Sequence, residues 1–123
     1  RVLFGSQYGP YQHGPTYPGD GMQNRTGTCT DERHGLLHKE VGRLCALPGN
    51  EPCRQAAQQK NCAFAQDCAL NSFACINARL VIMFECFGEG NKSHWNEVSN
   101  RLRGLGTCVD CLVANGCTNP FVR

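Results

Sequence analysis

The chain has 123 residues and a formal net charge of +2, with basic and acidic side chains interspersed. This length predicts a single domain, and the nearly balanced charge argues against a protein that binds nucleic acid by electrostatics alone, because such a protein carries a basic stripe. The longest apolar run is residues 80–84, far short of the roughly 18–20 residues of a membrane-spanning helix. We therefore predict no membrane span.

The first segment, residues 1–28, differs in composition from the rest of the chain. It holds all three tyrosines, three of the six prolines and six of the fourteen glycines, but no cysteine. Because proline removes a backbone donor and pushes its predecessor toward extended geometry, we predict an extended arm without a core. The arm is either an unattached terminus or a docking segment for this subunit or a neighbouring one. The aromatic side chains that would dock are Phe4, Tyr8, Tyr11 and Tyr17.

After the arm, the spacing of apolar residues is helical, and strand alternation is hardly visible. Thr28 or Thr30 is placed to cap a first helix that continues through Cys45. The Pro-Gly pair at 48–49 ends this helix. A second helix, rich in alanine and glutamine, is predicted over residues 51–66.

A third helix is predicted over residues 71–86, followed by a break of glycine and asparagine at 88–91. Ser93 then caps a fourth helix, whose apolar stripe indicates one buried face. The stripe consists of Trp95, Val98, Leu102 and Leu105. We thus predict a small all-α, disulfide-rich domain of about four helices over residues 29–123.

Ten cysteines in so short a chain indicate a disulfide scaffold in an oxidising compartment. We expect all ten to be paired, and they are Cys29, Cys45, Cys53, Cys62, Cys68, Cys75, Cys86, Cys108, Cys111 and Cys117. Asn24 and Asn91 begin Asn-x-Ser/Thr sequons, which are glycosylated only in the secretory pathway. The chain begins at Arg1, as a mature product does after removal of a signal peptide. We therefore expect a secreted glycoprotein with N-linked glycans.

Two groups of residues have the spacing of metal ligands. Cys108-x-x-Cys111 resembles a zinc knuckle, but a structural zinc site needs a second pair, so disulfides are favoured. His34 and His38 lie on one face of the first helix and could share a metal or a phosphate. The favoured interpretation is that one of them packs against a neighbouring helix while the other is solvated. We predict no metal and no cofactor.

His94 follows the glycine-containing break and opens the fourth helix, where the helix dipole lowers an imidazole pKa and free amides can hold an anion. Two histidines from different elements, one as base and one as acid, suit metal-free cleavage of RNA. Lys92 or Arg79 would then stabilise the phosphorane. From spacing alone, an ordinary first-turn histidine beside Trp95 is the favoured interpretation.

Two stretches of the chain resemble motifs of the novel toxin 16 family. Cys75-Ile-Asn-Ala-Arg79, with Cys86-Phe87 seven residues later and then His94, is similar to the family's C-x-N-A-R, C-[FY] and G-G-D-x-x-H series. The helix that ends in Cys45 resembles the family's L-[HQ]-x-x-V-x-x-[FL]-C motif. The similarity covers about residues 34–108. These domains are known from bacterial polymorphic toxins and secreted animal proteins and are predicted to be RNases.

The resemblance implies that His38, Arg79 and His94 occupy the positions of the family's proposed active residues. Two positions depart from the pattern, because this chain has Asn91 where the family has aspartate and Glu89 where it has glycine. Loss of the carboxylate removes a base or orienting group, and a glycan on Asn91 would crowd the cleft. Both changes are typical of a fold that is kept for its shape while catalysis decays.

Three functions follow from these observations. The favoured prediction is a secreted, non-enzymatic glycoprotein that acts in extracellular binding or self-assembly through its arm, as a homo-oligomer or with an extracellular protein partner. The alternative is a secreted RNase-like toxin or defence effector, with RNA as substrate and no metal requirement. A receptor- or channel-directed toxin is a third function, supported only by analogy with other cystine-rich secreted chains.

Overall fold

A computed structural model describes residues 29–87 and 92–122, except for the side chains of residues 92 and 93. Four α-helices and one π-helical turn make up this part of the chain, and it contains no strand. The helices are α1 (Asp31–Cys45), α2 (Asn50–Gln58), α3 (Cys62–Ile82) and α4 (Lys92–Ala114), and the π-helical turn Met83–Phe87 continues α3. The predicted small all-α domain of about four helices is confirmed.

The helix boundaries correct the sequence prediction in the middle of the chain. Thr30 caps α1, since its Oγ1 accepts a hydrogen bond from the backbone N–H of Arg33 at 3.0 Å. The predicted break after residue 66 is wrong. The chain turns instead at Lys60, whose φ of 64° lies in the left-handed region, and Asn61 caps α3 through a hydrogen bond from Phe64 N–H to its Oδ1.

Helix α3 is the central element, because α1, α2 and α4 all pack against it, and α2 also packs on α4. Its largest fully buried side chains are Ile76 and Leu80, and Met83 of the π-helical turn extends the same core. By length and composition, Cys62–Phe87 could also cross a membrane, which the short apolar runs did not predict. However, 56% of its most apolar 18-residue window is buried inside the bundle, as in the core helix of a globular domain.

Four disulfides connect the elements. They are Cys29–Cys86, Cys45–Cys75, Cys53–Cys108 and Cys62–Cys117. The first two join the start and the end of α1 to the π-helical turn and to α3, and the other two join α4 and the turn after it to α2 and α3. Because Cys108 forms a disulfide, the zinc-knuckle alternative is wrong.

The expectation that all ten cysteines are oxidised is wrong for Cys68 and Cys111, which are thiols in this structure. Cys68 is completely buried on α3, and this burial, with the nearby Asp67 carboxylate, raises the pKa of its thiol. The Cys111 thiol donates toward the Arg54 carbonyl at 3.5 Å and accepts from Asn115 Nδ2 at 3.4 Å. The polar groups around Cys111 therefore satisfy its sulfur without a second cysteine.

Several predictions fall outside the described residues. These are the arm with its aromatic docking residues, and the sequon asparagines Asn24 and Asn91. The family's glycine position, here Glu89, lies outside as well. Glycosylation and arm-mediated assembly remain predictions.

Alkylation distinguishes four disulfides from five. Treating the unfolded, unreduced protein with iodoacetamide should add two groups, on Cys68 and Cys111, as read by peptide mapping with mass spectrometry. In the folded protein only Cys111 should react, because Cys68 has no solvent exposure and a buried, protonated thiol is inert. A protein that takes up no label after unfolding would contain a fifth disulfide.

Candidate active site

Three helices meet at a cavity that contains all three residues singled out from the sequence. His38 of α1, Arg79 of α3 and His94 of α4 line it together with the carboxylate residue Glu97. Its volume is about 50 Å³, which is room for roughly four water-sized groups. The cavity can therefore accept the oxygens of one phosphate group. Its apolar wall consists of Val41, Ile82, Phe87 and Val98.

The two histidines of α1 have different environments. His34 is buried, and its ring meets the edge of Phe87 with centroids 5.8 Å apart. His38, one turn later, is exposed, and the two imidazole centroids are 5.5 Å apart. The structure thus shows the predicted division into one packed and one solvated histidine, and it places the solvated one at the cavity.

The start of α1 is held on the π-helical turn by a cluster of polar and covalent contacts. Arg33 makes a two-pronged ion pair with Glu85, with Nε–Oε1 and Nη2–Oε2 distances of 3.0 and 3.1 Å. The backbone N–H of Cys29 donates to the Glu85 carbonyl at 3.0 Å. The next residue after Glu85 is Cys86, which forms a disulfide with Cys29. These contacts fix the register of α1 along α3, and with it the position of His38.

The π-helical turn brings an aromatic ring into the site. Phe87, which is buried, stacks on His94 with centroids 3.8 Å apart and an interplanar angle of 28°. Single π-turns inserted in α-helices often mark functional sites. No role for Phe87 was predicted from the sequence, although the aromatic position after Cys86 in the family motif was a signal for it.

The environment of His94 favours its neutral form. Burial lowers the pKa of this imidazole below its ordinary value, and the positive charge of Arg79 lowers it further, whereas the Glu97 carboxylate opposes both effects. At neutral pH the ring is therefore mostly unprotonated and able to accept a proton.

Glu97 joins two arginines. Its Oε1 lies 2.9 Å from Arg79 Nη1, and its Oε2 lies 3.7 Å from Arg101 Nη2. Burial and the nearby Arg101 lower the pKa of Arg79, but a guanidinium keeps its charge at physiological pH. Within the described chain, Arg79 Nε is buried and has no hydrogen-bond partner. Arg79 therefore lines the cavity as a cation that is held in place by the Glu97 carboxylate.

Glu97 was missed from the sequence. The available signal was its position on α4, three residues after His94 and four before Arg101, which puts all three on neighbouring turns of one face. Lys92, the second candidate for phosphorane stabilisation, has no described side chain, and that alternative remains a prediction.

Because Glu97 and Arg79 act on the pKa of His94 in opposite directions, replacing each of them should shift this pKa with opposite sign. Glu97→Gln should lower the pKa of His94, because it removes the carboxylate that favours the imidazolium, and Arg79→Met should raise it. Both can be read from the imidazole proton shifts during an NMR titration. Asp110→Asn is the matched control, since this residue lies about 20 Å farther along α4, beyond the Debye length at physiological salt. Shifts of the same sign in both variants would contradict this electrostatic arrangement.

Comparison with known proteins agrees with the geometry. The family model described as Novel toxin 16 matches residues 24–111, which is well over half of the chain and includes every residue that lines the cavity. No curated protein and no solved structure matches the chain. The matched segment contains the C-x-N-A-R motif on α3 and the histidines on α1 and α4. The chain belongs to the novel toxin 16 family.

Proposed function

We propose that this domain is a metal-independent, RNA-cleaving toxin. The observation that carries the proposal is the meeting of His38, Arg79 and His94, from three different helices, at one cavity of phosphate size. Two imidazoles and a guanidinium are the groups that RNA cleavage requires when the neighbouring 2′-hydroxyl is the nucleophile, because they supply a base, an acid and a positive charge.

The proposed reaction is an intramolecular transesterification. His94 accepts the proton of the ribose 2′-hydroxyl as the 2′-oxygen bonds to the adjacent phosphorus. The bond from phosphorus to the 5′-oxygen breaks, and protonated His38 donates a proton to that leaving oxygen. Arg79 stabilises the negative charge on the non-bridging oxygens of the phosphorane. The products are a 2′,3′-cyclic phosphate and a free 5′-hydroxyl.

The roles of the two histidines follow from their exposure. His94 is half-buried against Phe87, and its lowered pKa keeps it neutral, as a base must be. His38 is exposed, so it can exchange its proton with solvent between turnovers. If His94 were the acid and His38 the base, the half-buried His94 ring would have to carry the positive charge, which its desolvation disfavours.

The departures from the family pattern do not remove the carboxylate from the cavity. Asn91 replaces the family's aspartate, but Glu97 supplies a carboxylate among the lining residues and contacts Arg79. In the proposed reaction this carboxylate orients Arg79 and limits the fall in the His94 pKa. Catalysis therefore does not depend on an acidic residue at position 91.

The non-enzymatic, arm-mediated function rests on residues outside the described chain, whereas the RNase function rests on described side chains. The four disulfides and the toxin-family domain are consistent with an extracellular protein. We therefore favour a secreted, RNA-cleaving toxin.

Purified, oxidised protein should cleave a single-stranded RNA, and it should not cleave the same sequence made of DNA. His38→Ala and His94→Ala should each reduce kcat/KM by about 10²- to 10⁴-fold, the usual contribution of a general acid or base. Arg79→Met should cost about 10²- to 10³-fold through loss of charge stabilisation. The rise of kcat/KM with pH should have its midpoint below about 6.5, the ordinary histidine pKa, because the pKa of His94 is lowered.

Lys39→Ala and Arg103→Met are the matched controls. Each alters an exposed cation on the same helix as a proposed catalytic residue without touching the cavity. Both should keep the wild-type rate. Absence of cleavage by the wild-type protein, or cleavage that survives His94→Ala, would overturn the proposal.

A further inference from the structure

A second, larger cavity lies beside the proposed active site. Its volume is about 250 Å³, against about 50 Å³ for the first. The polar residues that line it are Asn50, Glu51, Asn71, Ser72 and Arg101, and the Cys45–Cys75 disulfide contributes to its wall. The five-fold larger volume can hold a planar ring system, which the first cavity cannot.

The two cavities lie next to each other along the same three helices, and we call them together the groove, with two sections. On α1, residues 38 and 41 line the first cavity, and residues 44 and 45 line the second. On α3, residues 79 and 82 line the first cavity, and residues 72, 75 and 76 line the second. On α4 the lining changes from Glu97 to Arg101, a step of about 6 Å at the helical rise of 1.5 Å per residue. The first turn of α2 lines the far end of the groove.

Arg101 connects the two sections. Its Nη2 faces Glu97, which lines the first cavity, and its Nη1 lies 3.5 Å from Cys75 Sγ in the wall of the second. Arg101 Nε and Asn50 Oδ1 are both buried and lack a hydrogen-bond partner within the described part of the chain. Asn50 Nδ2 already donates to the Arg101 carbonyl at 3.3 Å. Asn50 and Arg101 are therefore held next to each other in the lining of the second cavity.

We propose that this second cavity binds a nucleobase next to the scissile phosphate of RNA. The inference rests on the proposed function and extends it to recognition of the substrate. Nucleobase edges carry donors and acceptors side by side, and the guanidinium of Arg101 and the amides of Asn50 and Asn71 in the cavity lining carry both kinds of group. Unstacked bases of single-stranded RNA also stack on guanidinium planes. A second phosphate fits less well, because Glu97 offsets the Arg101 charge and Leu44, Leu47 and Ile76 supply apolar wall.

The test compares RNA substrates that lack one base. A chimeric oligonucleotide with a single ribonucleotide fixes the cleavage position, and two derivatives carry an abasic sugar on one side or the other of the scissile phosphate. For the wild type, removal of one of these two bases should lower kcat/KM by about ten- to a hundredfold, the usual range for a specific base contact. Removal of the other should have a smaller effect.

Two variants link this loss to the second cavity. Arg101→Met and Asn50→Ala should each lower kcat/KM on the intact substrate, and their losses should be much smaller on the sensitive abasic substrate, because partners in one contact are not additive. Asn50→Ala leaves the contacts of Glu97 in place, so it separates base binding from any effect on Arg79. Arg103→Met, on the exposed side of α4, should retain the wild-type base dependence.

Three results would overturn the inference. The first is that kcat/KM of the wild type does not change when either base is removed. The second is that Arg101→Met and Asn50→Ala lower kcat/KM on the sensitive abasic substrate as much as on the intact one. The third is that Arg103→Met lowers kcat/KM as much as Arg101→Met does. A wild type that cleaves RNA without base dependence would refute the second cavity alone. A wild type that cleaves none of the substrates would refute the proposed function and the inference with it.

Discussion

The position of α1 depends on two disulfides, one at each end of the helix. Cys29–Cys86 and Cys45–Cys75 close sequence separations of 57 and 30 residues. Between them, α1 packs chiefly on α3 among the described elements. It buries His34 and Val41 and packs Leu37, Leu44 and Cys45 partly buried against the core. Closing loops of this size adds about 3–4 kcal/mol of stability for each disulfide in the chain-entropy estimate. His38 lies between the two cross-links, so reduction of both disulfides would loosen the helix that carries the proposed acid. Compartment and chemistry are thus linked through one helix.

The charge arrangement around Glu97 serves orientation more than stability. The Glu97 side chain is 43% exposed and the Arg101 side chain is 37% exposed. Ion pairs with this much solvent contact contribute about 0–1 kcal/mol to stability. The same contacts nevertheless hold two guanidinium groups of like charge on either side of one carboxylate, that of Arg79 from α3 and that of Arg101 from α4. Without the shared carboxylate the two cations would repel each other, and neither would keep a fixed direction. One acidic side chain therefore allows two cationic groups to coexist at the proposed site for a polyanion.

Much of the fold follows from local sequence signals, because caps and periodicity act over a few residues. Thr30 is an example, since its hydroxyl accepts a hydrogen bond from the Arg33 amide, one of the free N–H groups in the first turn of α1. The turn at Lys60 was missed because a lysine with positive φ lacks the usual glycine or asparagine signature, although Asn61, which caps α3, was a local signal for the start of the next helix. The π-helical turn that places Phe87 has neither glycine nor proline. The thiol state of Cys68 depends on long-range packing, as does the choice of cysteine partners. For the site, the motif identified the two histidines and Arg79, while Glu97 required the geometry of α3 against α4.

The dimensions of the groove restrict the RNA that the proposed reaction can accept. In the proposed reaction the phosphate must enter a cavity of about 50 Å³ between three helices. Two disulfides join α1 to α3 and its π-helical turn, and a third joins α3 to the turn after α4. A base in an A-form duplex is stacked and paired, and its edge in the deep, narrow major groove cannot be read by side chains. To fill the second cavity, a base must leave the stack, and this costs least in loops, bulges and single strands. In the proposed function, the cross-links that position His38 would therefore favour unpaired RNA, and the fold would contribute to specificity as well as to catalysis.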